Sequence, residues 1–178
     1  MSENNLKSHL RYYGISPWEI EVMHSYLNAR FLISQEEVEP EEEGFVSFLD
    51  WDIPLDFNEE FFKWFDYRRW EKVKAIFKEM KRRRGSGNAL KINVIFSGSP
   101  KIRFVLDAED SQWFNNSVEK IDFLLELLPY HLDPEKLPNN VTEIIYHYVP
   151  EAARWRLNSA LVKEKKFIFI NNEWKIVT

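Results

Sequence analysis

The sequence predicts an α+β fold, a mostly antiparallel sheet of hairpins with helices packed on it. Two segments, 91–107 and 167–177, pair as hairpins, and several others carry apolar residues at helical spacing behind good caps. Strands and helices interleave without internal repeats. At 178 residues, 44% hydrophobic and 16% aromatic, the chain is expected to fold as one domain, 1–178, with material for a substantial core.

Ser16-Pro17-Trp18-Glu19 opens the first helix: Ser caps, Pro takes the first helical position and Glu reaches back to the cap. Trp18, Val22 and Tyr26, with Met23 and Leu27, continue it from about Pro17 to Asn28. Arg30 to Ile33 fits either its last turn or a short strand. Residues 35–43, rich in Glu and broken by Pro40, read as an acidic exposed connection. Phe45 to Trp51 reads as a buried strand stopped by Pro54. Asn58 caps the next helix, with Glu59 and Glu60 at its positive end. Phe62, Phe65, Val73, Ile76, Phe77 and Met80 give it one apolar stripe, over residues 59–84, before Gly85-Ser86-Gly87-Asn88.

In the hairpin 91–107, Ile92, Val94 and Phe96 face one side and Lys91, Asn93 and Ser97 the other, with turn chemistry at Ser97-Gly98-Ser99-Pro100. Asn116-Ser117-Val118-Glu119 resembles a capping box opening a helix with Val118, Ile121, Leu124, Leu125 and Leu128 on one face. Val141 to Tyr148 fits a strand or a helix, and Glu151 to Lys163 reads as a helix opened by Pro150. The chain closes on Phe167 to Ile170, a turn at Asn171-Asn172, and Trp174 to Val177. Trp51, Trp64, Trp70, Trp113, Trp155 and Trp174 read mostly as core by their spacing.

Composition narrows the function classes. Without cysteine there are no disulfides, thiolate zinc sites or iron–sulfur sites. The N-terminus is hydrophilic and no apolar run approaches membrane-spanning length, so the expectation is a soluble cytoplasmic protein with no membrane partner. A net charge of −5 argues against non-specific coating of nucleic acid. The cations are nonetheless concentrated: Arg68 to Arg84 holds nine Lys or Arg against Glu71 and Glu79. The run Lys81, Arg82, Arg83 and Arg84 suits either nucleic-acid contact or the cation preference of a helix C-terminus. His9, His24, His131 and His147 show no close ligand spacing.

The sharpest chemical hint is Asp50-Trp51-Asp52. On a strand the two carboxylates point the same way, roughly 7 Å apart, a spacing that can share a divalent cation. The bland alternative is a solvated strand end. Residues 44–130 resemble the core of the archaeo-eukaryotic primase superfamily, in particular the small catalytic subunit of archaeal DNA primase. The resemblance is carried by the order of Phe48-Leu49-Asp50-Trp51-Asp52, the helix 59–84, Val94-Ile95-Phe96-Ser97-Gly98 and the return strand to Asp107. It implies that Asp50 and Asp52 are catalytic and bind Mg²⁺ or Mn²⁺. It also implies that Ser97 and Gly98 contact a nucleoside triphosphate, which strand phase would let Lys101 and Arg103 share, and that Glu143 is a candidate third metal carboxylate. Lys81 to Arg84 would then track a single-stranded template.

The sequence departs from the family in several places. Ile102 stands where the family has a phosphate-contacting histidine, although strand phase puts Lys101 and Arg103 on the polar side with Ser97. The basic pair before the second helix and the cysteine-rich zinc module are absent, and the part before Asp50 is short. Two functions follow: a primase-type nucleotidyltransferase, or a non-catalytic adaptor holding nucleic acid or a replication-type partner subunit. An unrelated α+β domain whose motif matches are chance is the third reading.

Overall fold

The computed structural model describes residues 6–40 and 44–177. Its strands are β1 (Lys7–Tyr13), β2 (Leu32–Glu37), β3 (Ser47–Ile53), β4 (Leu90–Phe96), β5 (Lys101–Leu106), β6 (Glu143–Val149), β7 (Arg154–Val162), β8 (Lys165–Ile170) and β9 (Glu173–Ile176). The helices are α1 (Pro17–Leu27), α2 (Glu59–Phe65), α3 (Tyr67–Arg84), α4 (Ser111–Glu119) and α5 (Leu128–His131), with 3₁₀ turns at Asp122–Glu126 and Pro150–Ala152. The strands form one sheet in the order β2-β1-β3-β4-β5-β6-β7-β8-β9. No helix among the described residues is long and apolar enough to cross a membrane.

The class is α+β, as the sequence predicts, with a mixed sheet. β1 and β2, β3 and β4, and β5 and β6 pair in parallel; the other five pairs are antiparallel. Each parallel pair is joined through helix, which returns the chain to the end where the first strand began. Hairpin character is confined to β4–β5 and to the β6–β9 meander. At the last turn Asn171 and Asn172 both adopt positive φ, the backbone that a two-residue hairpin loop favours.

Period-two alternation gives the sheet two unlike faces. Leu49, Trp51 and Ile53 on β3, Ile92, Val94 and Phe96 on β4, and Ile102, Phe104 and Leu106 on β5 are buried on one side. There α1, α3 and α4 pack side by side, with α2 against α3. Trp51 packs against Phe65, Trp70 and Phe77 with ring centroids 6.1, 6.2 and 6.3 Å away. Emptying a Trp site of this kind costs about 3–5 kcal/mol. Among the described residues no helix packs on the opposite face, which is lined largely by polar and charged residues.

Several elements differ from the sequence reading. Most of the helix expected over 151–163 is instead β7 (Arg154–Val162), because burying Trp155 and Leu157 against the helical layer demands alternation with exposed Arg154, Arg156 and Asn158. The helix expected over 59–84 is two: Asp66, at φ 83°, breaks it, and its carboxylate accepts from the amide of Arg68 to start α3. α4 begins at Asp110, whose side chain accepts from the amides of Gln112 and Trp113, so Asn116 and Ser117 lie inside the helix. β1 has no counterpart in the sequence reading. Of the acidic connection, Glu36 and Glu37 belong to β2, while Glu41, Glu42 and Glu43 lie outside the described residues. Trp51, Trp70 and Trp155 are core, but Trp18 and Trp113 are exposed.

Candidate functional site

β3 presents Asp50 and Asp52 on the face without helices, with Trp51 between them fully buried on the other side. The strand is pinned locally. The indole of Trp51 donates to Ser8 Oγ at 2.8 Å, and that hydroxyl donates to the backbone carbonyl of Asp52 at 2.7 Å. Across the ladder, Asp50 stands between Arg11 of β1 and Asn93 of β4, and Asp52 between His9 and Ile95. Arg11 Nη1 lies 3.6 Å from Asp50 Oδ2, and Asn93 Nδ2 donates to Asp50 Oδ1 at 2.8 Å. Asn93 is 8% exposed, and its Oδ1 is buried without a hydrogen-bond partner.

The β4–β5 turn completes this end of the face. Ser97 Oγ donates to Asp52 Oδ1, and the Ser97 amide donates to Ile53 O at 2.8 Å, extending the β3–β4 ladder. Asp56 Oδ1 accepts from the amide of Ser99 at 3.0 Å. A Cβ on residue 98 would stand 1.7 Å from that same oxygen, so only glycine lets the turn close onto Asp56. Lys101 and Arg103 occupy the open face, whereas Ile102 is 3% exposed on the helical side. Arg103 stands two strands from Asp52 across Ile95, about 10 Å between backbones. Its Nε donates to Glu143 Oε1 at 2.8 Å.

Asp50, Asp52, Ser97, Gly98, Lys101, Arg103 and Glu143 therefore share one face or its rim. They do not form a cluster of carboxylates: no group of three or more His, Asp or Glu able to hold a metal ion occurs among the described residues. Glu143 is engaged by Arg103 instead of joining the aspartates. Two adjacent carboxylates beside the unpartnered Asn93 oxygen are a hard oxygen donor set, which fits Mg²⁺ or Mn²⁺ keeping part of its water shell. Compared with known proteins, the chain matches no family model, no curated protein and no solved structure. What the site can do rests on its own residues.

Lys81 to Arg84 are not part of this site. They end α3 on the helical side, near Ser47, where β3 begins; Asp52 lies five residues further along the strand, about 17 Å. Lys81 is fully buried, its Nζ donating to Gly87 O at 3.2 Å and lying 5.7 Å from the Phe114 ring centroid. Arg84 grips Glu19 through two 2.8 Å bonds and reaches Ser47 Oγ and Gly14 O. Burial works to raise the Glu19 pKa, but Arg84 and the Ser16 cap outweigh it and bring it down to about 2. Arg82 and Arg83 both pair with Glu79, whose pKa they likewise hold to about 2.

Arg11 and Asn93 are the site residues that sequence reasoning missed. Alternation along 91–97 does put Asn93 on the polar side, but only the register of β4 on β3 places it beside Asp50.

Proposed function

We propose that the open face around Asp50 and Asp52 is a primase-type nucleotidyl-transfer site that uses a divalent metal and a nucleoside triphosphate. The observation supporting it is the pairing of two same-facing strand carboxylates with the Ser97 hydroxyl on one of them and two cations on β5, two strands away on the same face. Bound divalent cations would neutralise the triphosphate and activate the attacking hydroxyl. The chain's own groups do the rest. Ser97 orients Asp52, and Arg11 with Asn93 orients Asp50. The Gly98 amide, Lys101 and Arg103 meet phosphate oxygens, Arg103 in bidentate fashion once it exchanges Glu143 for phosphate.

Mn²⁺ and labelled nucleoside triphosphate, titrated into the wild type and an Asp50→Ala, Asp52→Ala double variant, test this reading. Metal-dependent nucleotide binding in the wild type alone supports it; equal binding in both proteins sinks it.

A second reading is favoured by the engagement of the same groups. Both oxygens of Asp50 already have partners, Arg103 is neutralised by Glu143, and among the described residues no third carboxylate joins the pair. On that reading the chain is a non-catalytic adaptor for nucleic acid or for a replication-type partner subunit. Wild-type protein that binds no nucleotide in the same titration supports it.

A further inference from the structure

We propose that the open face of β7, β8 and β9 binds the phosphate backbone of a single-stranded nucleic acid and leads it toward Asp50 and Asp52. The proposal rests on the nucleic-acid reading of the open face and names the surface that serves it. Strand alternation puts Arg154 and Arg156 of β7 on this face, opposite the side where Trp155 and Leu157 are buried. The antiparallel register adds Lys166, across from Leu161, and Lys175, across from Ile168. All four cations are exposed, and none forms an ion pair among the described residues. The one carboxylate on this face of the three strands is Glu173, across from Ile170.

The pattern is unusual for this chain, which has 29 acidic against 24 basic residues. Its helical layer pairs cations closely: Lys74 with Asp122 at 2.9 Å, Arg84 with Glu19, and Arg82 and Arg83 with Glu79. Arg154 and Arg156 stand two residues apart on β7, and Lys166 and Lys175 on neighbouring strands; within each pair the like charges repel, and a polyanion running along the face relieves that repulsion while releasing counterions. Nucleic acid is favoured over an acidic peptide because the exposed cations share one sheet face with the carboxylate pair. Asp50, Asn93, Val105, His147 and Arg156 stand in one cross-strand row. Four strand spacings separate its ends, about 19 Å. Burial holds the His147 imidazole below its ordinary pKa; Asp107 opposes that shift, and Lys91 and Lys166 add to it.

The test is fluorescence polarisation of a labelled oligo(dT) or oligo(U) of about 20 nucleotides, measured across a salt series without divalent cation. Omitting the cation removes the need for a metal at the Asp pair, so this surface and the transfer reading fail separately. The wild type should bind with salt-dependent affinity. An Arg154→Glu, Arg156→Glu variant should lose at least about tenfold and flatten the log–log salt slope by about 1.4, two phosphate contacts for single strands. Lys166→Glu, Lys175→Glu should act in the same direction, whereas Arg82→Glu, Arg83→Glu should stay within about twofold. Wild-type affinity in both face variants, or no binding by the wild type at low salt, overturns the proposal. So does a poly-glutamate peptide that displaces the oligonucleotide equally well per charge, which would point to an acidic protein partner.

Discussion

Asp50 and Asp52 look outward from a bare sheet face, while Lys81 to Arg84 close a helix on the other side of the same sheet. Both clusters stand out in the sequence as charge at high local density. The helical cluster is spent on structure: Arg82 and Arg83 find Glu79 one turn back, Arg84 finds Glu19, and Lys81 is buried against Gly87 and Phe114. The strand carboxylates have only cross-strand partners, held by register instead of by local geometry, and no helix among the described residues packs on their face. A helix supplies its own charges with neighbours three and four residues away; a strand on an open sheet leaves them facing solvent and ligand.

If that contrast is right, Arg84→Ala should have the largest effect on stability and none on binding. It leaves Glu19 buried without its cation, which costs about 3–5 kcal/mol. Chemical denaturation should show this loss, with oligonucleotide and nucleotide affinity of the folded protein unchanged. Full stability with lost affinity would make the basic run a binding device after all.

The same pair gives a pH signature. Because the folded pKa of Glu19 lies at about 2, below the 4.5 of an ordinary glutamate, its contribution is fully present above pH 4.5 and fades as pH falls toward 2. Denaturation curves for the wild type and Glu19→Gln should therefore differ near neutrality, on the order of 2 kcal/mol, and converge in acid. A gap that widens on acidification would contradict the assignment.

On the other face, Gly98→Ala forces its Cβ into Asp56. Shifting the turn costs about 1–3 kcal/mol and moves Ser97 away from Asp52. Nucleotide binding, if present in the wild type, should fall by about tenfold or more, with oligonucleotide affinity preserved. Unchanged nucleotide binding would separate the turn from the carboxylate pair.

How much of this was legible beforehand follows the range of the forces involved. α1 was readable from Ser16, Pro17 and Glu19, and the β4–β5 hairpin from its alternation, because caps and turns are local. β7 was not, since Pro150-Glu151-Ala152-Ala153 offers a helix start and only tertiary burial of Trp155 and Leu157 imposes the strand. Hiding β7 also hid the basic face, because Arg154 and Arg156 share a side only when the chain is extended. Arg11 beside Asp50 depends on β1, whose polar alternation gives a weak signal. The burial of Lys74 and Lys81 did have one. Spaced seven residues apart, they fall on the stripe of Phe77, and a cation there must be paired or neutralised.

The smallest expected effect is also the most discriminating one. Arg82 and Arg83 are exposed and share one carboxylate, so Arg82→Ala, Arg83→Ala should move the thermal midpoint by no more than about 2 °C. Arg83 also lies 4.6 Å from the Trp18 ring centroid, so whatever shift occurs should be matched by Arg83→Ala alone. Oligonucleotide affinity should stay within about twofold of the wild type, since these guanidinium groups end a helix behind the sheet and the polyanion is expected in front of it. A clear loss would mean that the strand passes around the edge of the sheet to α3, joining the two regions that the fold otherwise keeps apart.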